Sequence, residues 1–148
     1  TMTTSTPFSE VRGPAVAKFD LGLDSAILYY LTGDAIYAQC AADILYNAIK
    51  TLKPVVPATD PGNGGWIVRN DLLLEARILG TQLPMMYDFL RPYLETNKVY
   101  DVQSASLVDF DYLDAQKIFR TYYELTRDHG SRNSNWSALM ATCMLQNL

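Results

Sequence analysis

The sequence predicts an all-α domain built from antiparallel helical hairpins. Three observations lead there. Five stretches repeat apolar residues at the helical period. No stretch alternates convincingly at the strand period. Two of the helices meet through only one or two residues, at Thr32-Gly33-Asp34, which forces the chain to fold back on itself.

The first helix is expected from about Pro14 to Leu31. Gly13-Pro14 is a start signal, because proline suits the first helical turn. Val16, Phe19, Leu23, Ala26, Ile27 and Tyr30 share one face. Gly22 weakens the middle by roughly 1 kcal/mol relative to alanine. Thr32-Gly33 ends the helix, since glycine accepts a left-handed conformation cheaply. Asp34 caps the second helix. Tyr37, Ala41, Ile44, Leu45, Ala48 and Leu52 form its apolar face, and Gln39, Asp43, Asn47 and Lys50 its polar one. Tyr37, Ile44 and Leu45 are expected between the two helices. Lys50 and Lys53 suit the negative helix end, and Pro54 follows.

Residues 54–69 hold three prolines and three glycines. Asp60-Pro61-Gly62-Asn63-Gly64-Gly65 is a loop signal. A third helix is expected from about Asn70 to Tyr93, with Leu72, Ala76, Leu79, Leu83, Met86 and Leu90 inward. Gly80 and Pro84 lie within it and suggest a kink. Val99 to Val102 reads as a short extended piece. A fourth helix, from about Asp111 to Asp128, turns Ala115, Ile118, Phe119, Tyr122 and Leu125 inward. Gly130 and Ser131 end it. Asn135 can cap a fifth helix containing Ala138, Leu139, Thr142, Cys143 and Leu145. That helix meets no stop signal before Leu148, so the natural chain is expected to continue. Stacked helix pairs of this kind can close as a bundle, a solenoid or a ring.

Composition narrows the function. The chain has 148 residues, 49% hydrophobic and 19% charged, in the globular range and the size of one domain. The net charge of −4 argues against a general nucleic-acid binder, although a local basic site is compatible with it. No apolar run approaches the roughly 18 residues of a membrane span. Cys40 and Cys143 are too few for a disulfide framework or a four-cysteine zinc site, and both read as buried free thiols. His129 has no second histidine as a metal partner, so no metal is expected. Asp109, Asp111 and Asp114 lack the glycine and terminal glutamate of a calcium loop. They read more simply as acids favouring a helix N-terminus.

The most informative stretch is Asp128-His129-Gly130-Ser131-Arg132-Asn133-Ser134-Asn135-Trp136. It offers a cation, two carboxamides, an imidazole and an indole beside a helix N-terminus. Such a terminus favours an anion, and Arg132 can fork onto a carboxylate. The plainer alternative is an ordinary helix cap with a core tryptophan. A second candidate, Gly64-Gly65-Trp66-Ile67-Val68-Arg69-Asn70, also joins a glycine-rich loop to a helix start. Here the alternative is Asn70 acting only as a cap.

Leu31-Thr32-Gly33-Asp34-x-x-Tyr37-Ala38-x-x-Ala41 resembles the helix-hairpin pattern of alginate and heparinoid lyases. The Asn133-Ser134-Asn135-Trp136 segment is similar to the asparagine-bearing element of the heparinase II/III-like group. The resemblance covers about residues 12–148. It implies that residues 13–148 are the N-terminal part of an incomplete (α/α) toroid, preceded by an extension at 1–12. The remainder of the toroid and a β-sheet domain would lie beyond this chain or on another one. It further implies a secreted or periplasmic polysaccharide lyase, working without a cofactor on an acidic, uronic-acid polysaccharide. Alginate comes first, with heparinoid, chondroitin and ulvan-type polymers open.

By this resemblance Asn135, or else Asn133, neutralises the substrate carboxylate. Arg132 and His129 bind the uronate, and Trp66, Arg69 and Trp136 form subsites. Two features depart from the pattern. Trp136 stands where several relatives carry histidine, and the catalytic tyrosine and a further histidine usually come later than Leu148. A helical-toroid glycoside hydrolase and a non-enzymatic binding module are the competing expectations.

Overall fold

The computed structural model describes residues 8–54, 79–129 and 137–148. Five helices and one small hairpin are found there, in the order α1 (Phe8–Thr32), α2 (Ala35–Leu52), α3 (Leu79–Leu94), β1 (Val99–Asp101), β2 (Ser106–Val108), α4 (Tyr112–His129) and α5 (Ser137–Gln146). The protein is therefore mainly helical, as its apolar periodicity requires.

The turn between α1 and α2 works as its residues dictate. Gly33 takes φ +72°, and its N–H donates to the Tyr29 carbonyl. Asp34 accepts the Ile36 N–H at 3.0 Å and so caps α2. The two helices then run antiparallel. Ser25 meets Cys40, Gly22 meets Ile44, and Pro14 and Lys18 lie beside Ala48 and Thr51. As one number rises the other falls. Ile44 and Leu45 are buried in the core.

α3 runs parallel to α1, since Asp20 pairs with Gln82, Gly22 meets Met86, and Tyr29 packs edge-on against Tyr93. α4 returns antiparallel to α3, with Tyr122 at Gly80 and Phe119 at Tyr87. Gly22 and Gly80 allow these helices to close. A Cβ on Gly22 would stand 2.6 Å from the Met86 sulfur. One on Gly80 would stand 2.8 Å from the Tyr122 ring and 2.9 Å from Cys143 Sγ. The helix propensity lost at Gly22 is thus exchanged for a closer interhelix contact.

Several expectations need correction. α1 begins at Phe8, so residues 8–12 belong to the helix and Pro14 lies inside it. Proline removes one helical hydrogen bond, and a long helix can absorb that loss. Tyr30 and Tyr37 are not core residues: Tyr30 is 69% exposed and Tyr37 36%. They flank the α1–α2 turn, where periodicity names a face but cannot say whether another element covers it. Cys40 is half-buried; Cys143 alone of the two thiols is fully buried. Leu145 of α5 is exposed.

The extended piece expected at Val99 to Val102 is present as β1, and the correction is that it pairs into a sheet. Residues 99–108 form a two-stranded antiparallel hairpin with Val99 opposite Val108. Each strand is three residues long, too short to display a period of two. The polar face of α2, which reads as a solvent face, holds this hairpin in place. Asp43 accepts the Tyr100 N–H at 2.6 Å. Asn47 donates to the Tyr100 carbonyl at 2.7 Å and accepts the Val102 N–H at 3.1 Å. Its carboxamide serves β1 as a backbone amide of a neighbouring strand would.

Lys50 closes this row on Asp101, which is almost wholly buried. The Lys50 ammonium, the Ser104 hydroxyl and the Gln103 N–H together hold the Asp101 carboxyl down at about 2. A depressed carboxylate pKa contributes stability above the unfolded value, and that contribution is lost as pH falls through the folded value. The expected window therefore runs from about pH 4 down to about pH 2. Melting temperature should fall through this window, and Asp101→Asn should flatten that part of the profile. Identical profiles for the two proteins would mean that the latch carries no stability.

Candidate functional site

The residues that line one open groove come from three helices. α3 supplies Pro84, Met85, Tyr87, Asp88 and Arg91, and α4 supplies Gln116, Phe119, Arg120, Tyr123, Glu124 and Arg127. Gln146, Asn147 and Leu148 close the end. The groove has a volume of about 870 Å³, enough for several sugar rings or a peptide segment.

Its shape follows from the sequence of α4. Ala115, Ile118, Phe119, Tyr122 and Leu125 are drawn into the core. Gln116, Arg120, Tyr123 and Arg127 follow at helical spacing and form the next stripe round, at the groove. Antiparallel packing brings Arg91 of α3 to the same groove. Tyr87 is fixed by aromatic contacts with Phe110, Tyr112 and Phe119 at centroid distances of 5.5–6.4 Å.

Each arginine has a carboxylate close in sequence. Arg127 takes both oxygens of Asp128 at 2.7 Å, and its guanidinium lies 5.5 Å from the Tyr123 ring centre. That forked bond to Asp128 raises the arginine's pKa further above its ordinary value. Arg120 bonds Glu124 at 2.7 Å, and Arg91 approaches Glu95 at 3.5 Å. All are surface pairs, and such pairs typically contribute little to stability.

Away from the arginines the polar atoms are arranged differently. Asn147 donates to the carbonyls of Gly80 and Cys143, at 2.7 and 2.8 Å, and so ties the end of α5 to the start of α3. Burial pushes the Cys143 thiol up to about 11, which keeps it protonated and unreactive at neutral pH. Burial also raises the pKa of Tyr93 and Tyr112. Asp111 accepts the Asp114 N–H as a helix cap, and Asp114 pairs with Lys53 and Lys117. Asp111 and Asp114 therefore serve the N-terminus of α4, whereas Asp109 meets Lys98 instead.

Of the site residues expected from sequence, His129 is the last residue of α4, and its side chain is outside the description. Trp66, Arg69, Arg132, Asn133, Asn135 and Trp136 all lie outside the described residues. The groove arginines were not singled out by sequence. The available signal was Arg120 and Arg127 two turns apart with Tyr123 between them, which reads equally well as a solvated face. No family model, curated protein or solved structure matches this chain. Among the described residues, no helix is long and apolar enough to cross a membrane.

Proposed function

We propose that this chain is the N-terminal part of an (α/α)-toroid polysaccharide lyase, secreted or periplasmic, that cleaves a uronic-acid polymer, alginate foremost, by β-elimination. The observation that carries the reading is the helical hairpin at Leu31-Thr32-Gly33-Asp34. It has the glycine turn and aspartate cap on which the resemblance rests. The arginine- and tyrosine-lined groove adds support, because it offers forked cations and ring faces together.

The chemistry begins at C5 of the uronate, whose proton is only weakly acidic. Asn135, or else Asn133, donates to the neighbouring carboxylate as negative charge develops there. Arg132 and His129 hold the uronate, and Trp66, Arg69 and Trp136 provide subsites. A base removes the proton and an acid protonates the leaving oxygen, giving a C4–C5 double bond. That base belongs to the remainder of the toroid.

Asp88 and Glu124 line the same groove, and this favours a second reading as a glycoside hydrolase, whose chemistry needs two carboxylates. The products separate the two. Incubation with alginate oligomers should give rising ultraviolet absorbance from the conjugated double bond. New reducing ends without that absorbance would replace the lyase by the hydrolase. Binding without turnover would leave a carbohydrate-binding module.

A further inference from the structure

We propose that the outer face of α1 is a docking seam for one helix of the remainder of the toroid, and that this helix carries a lysine or arginine opposite Asp24. The inference rests on the toroid reading above and adds to it the surface on which a further helix seats.

α1 is apolar on two opposite faces. One face, with Phe19, Gly22, Ser25 and Ala26, is buried in the packing with α2 and α3. The other carries Ala17, Leu21, Asp24, Leu28 and Leu31, and all five are exposed. Their spacing alternates between four residues and three, the repeat by which one helix packs along another. The seam runs about 21 Å at 1.5 Å per residue, enough to seat about four turns of a partner helix. Tyr30, Ile36 and Tyr37 extend the exposed apolar surface round the α1–α2 turn. A helix that is apolar on both faces is covered on both. A stack of helices ends on a polar outer face, and α1 does not provide one. Another helix of the stack therefore belongs there.

Asp24 says what that helix carries. It is the charged member of an apolar seam, and among the described residues no donor reaches its carboxylate. Asp20, one turn away, differs in that it takes the Gln82 amide. Docking removes the Asp24 carboxylate from water, and a carboxylate covered in this way requires a cation. A second copy of this chain does not bring one. Arg12 and Lys18, the basic residues of α1, each lie about a third of a turn from Asp24 round the helix. Self-pairing would set Asp24 against leucine or against its own copy.

Three stapled helical peptides, each about four turns long, test the seam on the chain itself. The first has leucine at the alternating spacing and a central lysine. The second replaces that lysine by glutamate, and the third replaces the leucines by glutamine. The chain should bind the lysine peptide, and bind the other two at least tenfold more weakly. Leu21→Gln and Leu28→Gln should each weaken lysine-peptide binding about tenfold, the factor expected for losing one buried leucine contact. Asp24→Lys should reverse the preference in favour of the glutamate peptide. Leu107→Gln, on the hairpin held by the polar face of α2, should leave affinity unchanged. All of these side chains are exposed, so the chain should keep its melting temperature in every variant. In the complete enzyme, by contrast, Leu28→Gln should lower it by at least about 2 °C.

Equal binding of the lysine and glutamate peptides overturns the charge pairing. Lysine-peptide binding that ignores Leu21→Gln and Leu28→Gln overturns the seam. Sedimentation that shows a dimer dissolved by Leu28→Gln gives the face to a second copy and overturns the toroid partner. Elimination assays on the complete enzyme separate the two ideas. Turnover in an enzyme whose melting ignores Leu28→Gln keeps the lyase and removes the docking helix. A melting loss in a protein that shows no elimination keeps the docking helix and removes the lyase.

Discussion

Leu45→Ala is expected to cost about 2–5 kcal/mol of stability, the range for truncating a fully buried leucine. Leu45 has no exposed surface and lies on the face of α2 that turns into the core. The lost stability has two parts: the transfer free energy of the removed methyl groups and the cavity that remains. The cavity part should be large here. Ala41, Ala42 and Ala48 surround Leu45 on the same helix and have no longer side chain with which to fill the space. Ile36→Ala is the matching control. Ile36 is 69% exposed at the start of α2, so its truncation should stay within about 0.5 kcal/mol. Urea unfolding of both variants decides the matter. A loss below about 0.5 kcal/mol at Leu45 would mean that the packed face of α2 is wrongly placed.

The second large effect belongs to the proposed chemistry. If the chain is the toroid part proposed above, Asn135→Ala should lower kcat by about 10²–10³, with a smaller change in KM, when elimination is assayed in the complete enzyme. A neutral donor aimed at the substrate carboxylate gains most as charge builds in the transition state, so its loss appears in turnover. Asn135→Asp should be at least as damaging, because it sets a negative charge beside a developing one. A simple cap behaves otherwise, since aspartate caps a helix as well as asparagine does. If Asn135→Asp keeps both activity and melting temperature, the catalytic assignment falls and the cap remains.

How legible the fold was depends on the element. α4 could be read almost residue by residue, because all five of its expected inward residues are buried. α2 was as clear on its apolar face from Ala41 to Leu52, though not at Tyr37 near its start. Its polar face misled, because Gln39, Asp43, Asn47 and Lys50 look the same whether they meet water or a backbone. The first strand was legible as a short extended piece at Val99 to Val102, but its partner at Ser106–Val108 and the outer bonds from α2 were not. Tyr30 illustrates a different limit. Its position in the helical period is right, yet the element it packs on, Phe89, leaves it 69% exposed. The groove lay outside sequence reasoning for a related reason. It exists only when α4 packs antiparallel to α3 and the end of α5 closes one side. The asparagine and tryptophan loops that sequence did single out lie outside the described residues.

The clasp of α2 on β1 also bears on how copies of this chain meet in a crowded solution. A strand with a free edge is a template on which another chain can add, the first step of edge-to-edge aggregation. β1 has β2 on one side and Asp43 and Asn47 bonded to its backbone on the other. Both of its edges are therefore occupied, and a helix has removed one aggregation template from a two-stranded sheet. Among the described residues no strand pairs with the other edge of β2, which is three residues long, carries a serine and is too short a ribbon to nucleate a growing stack.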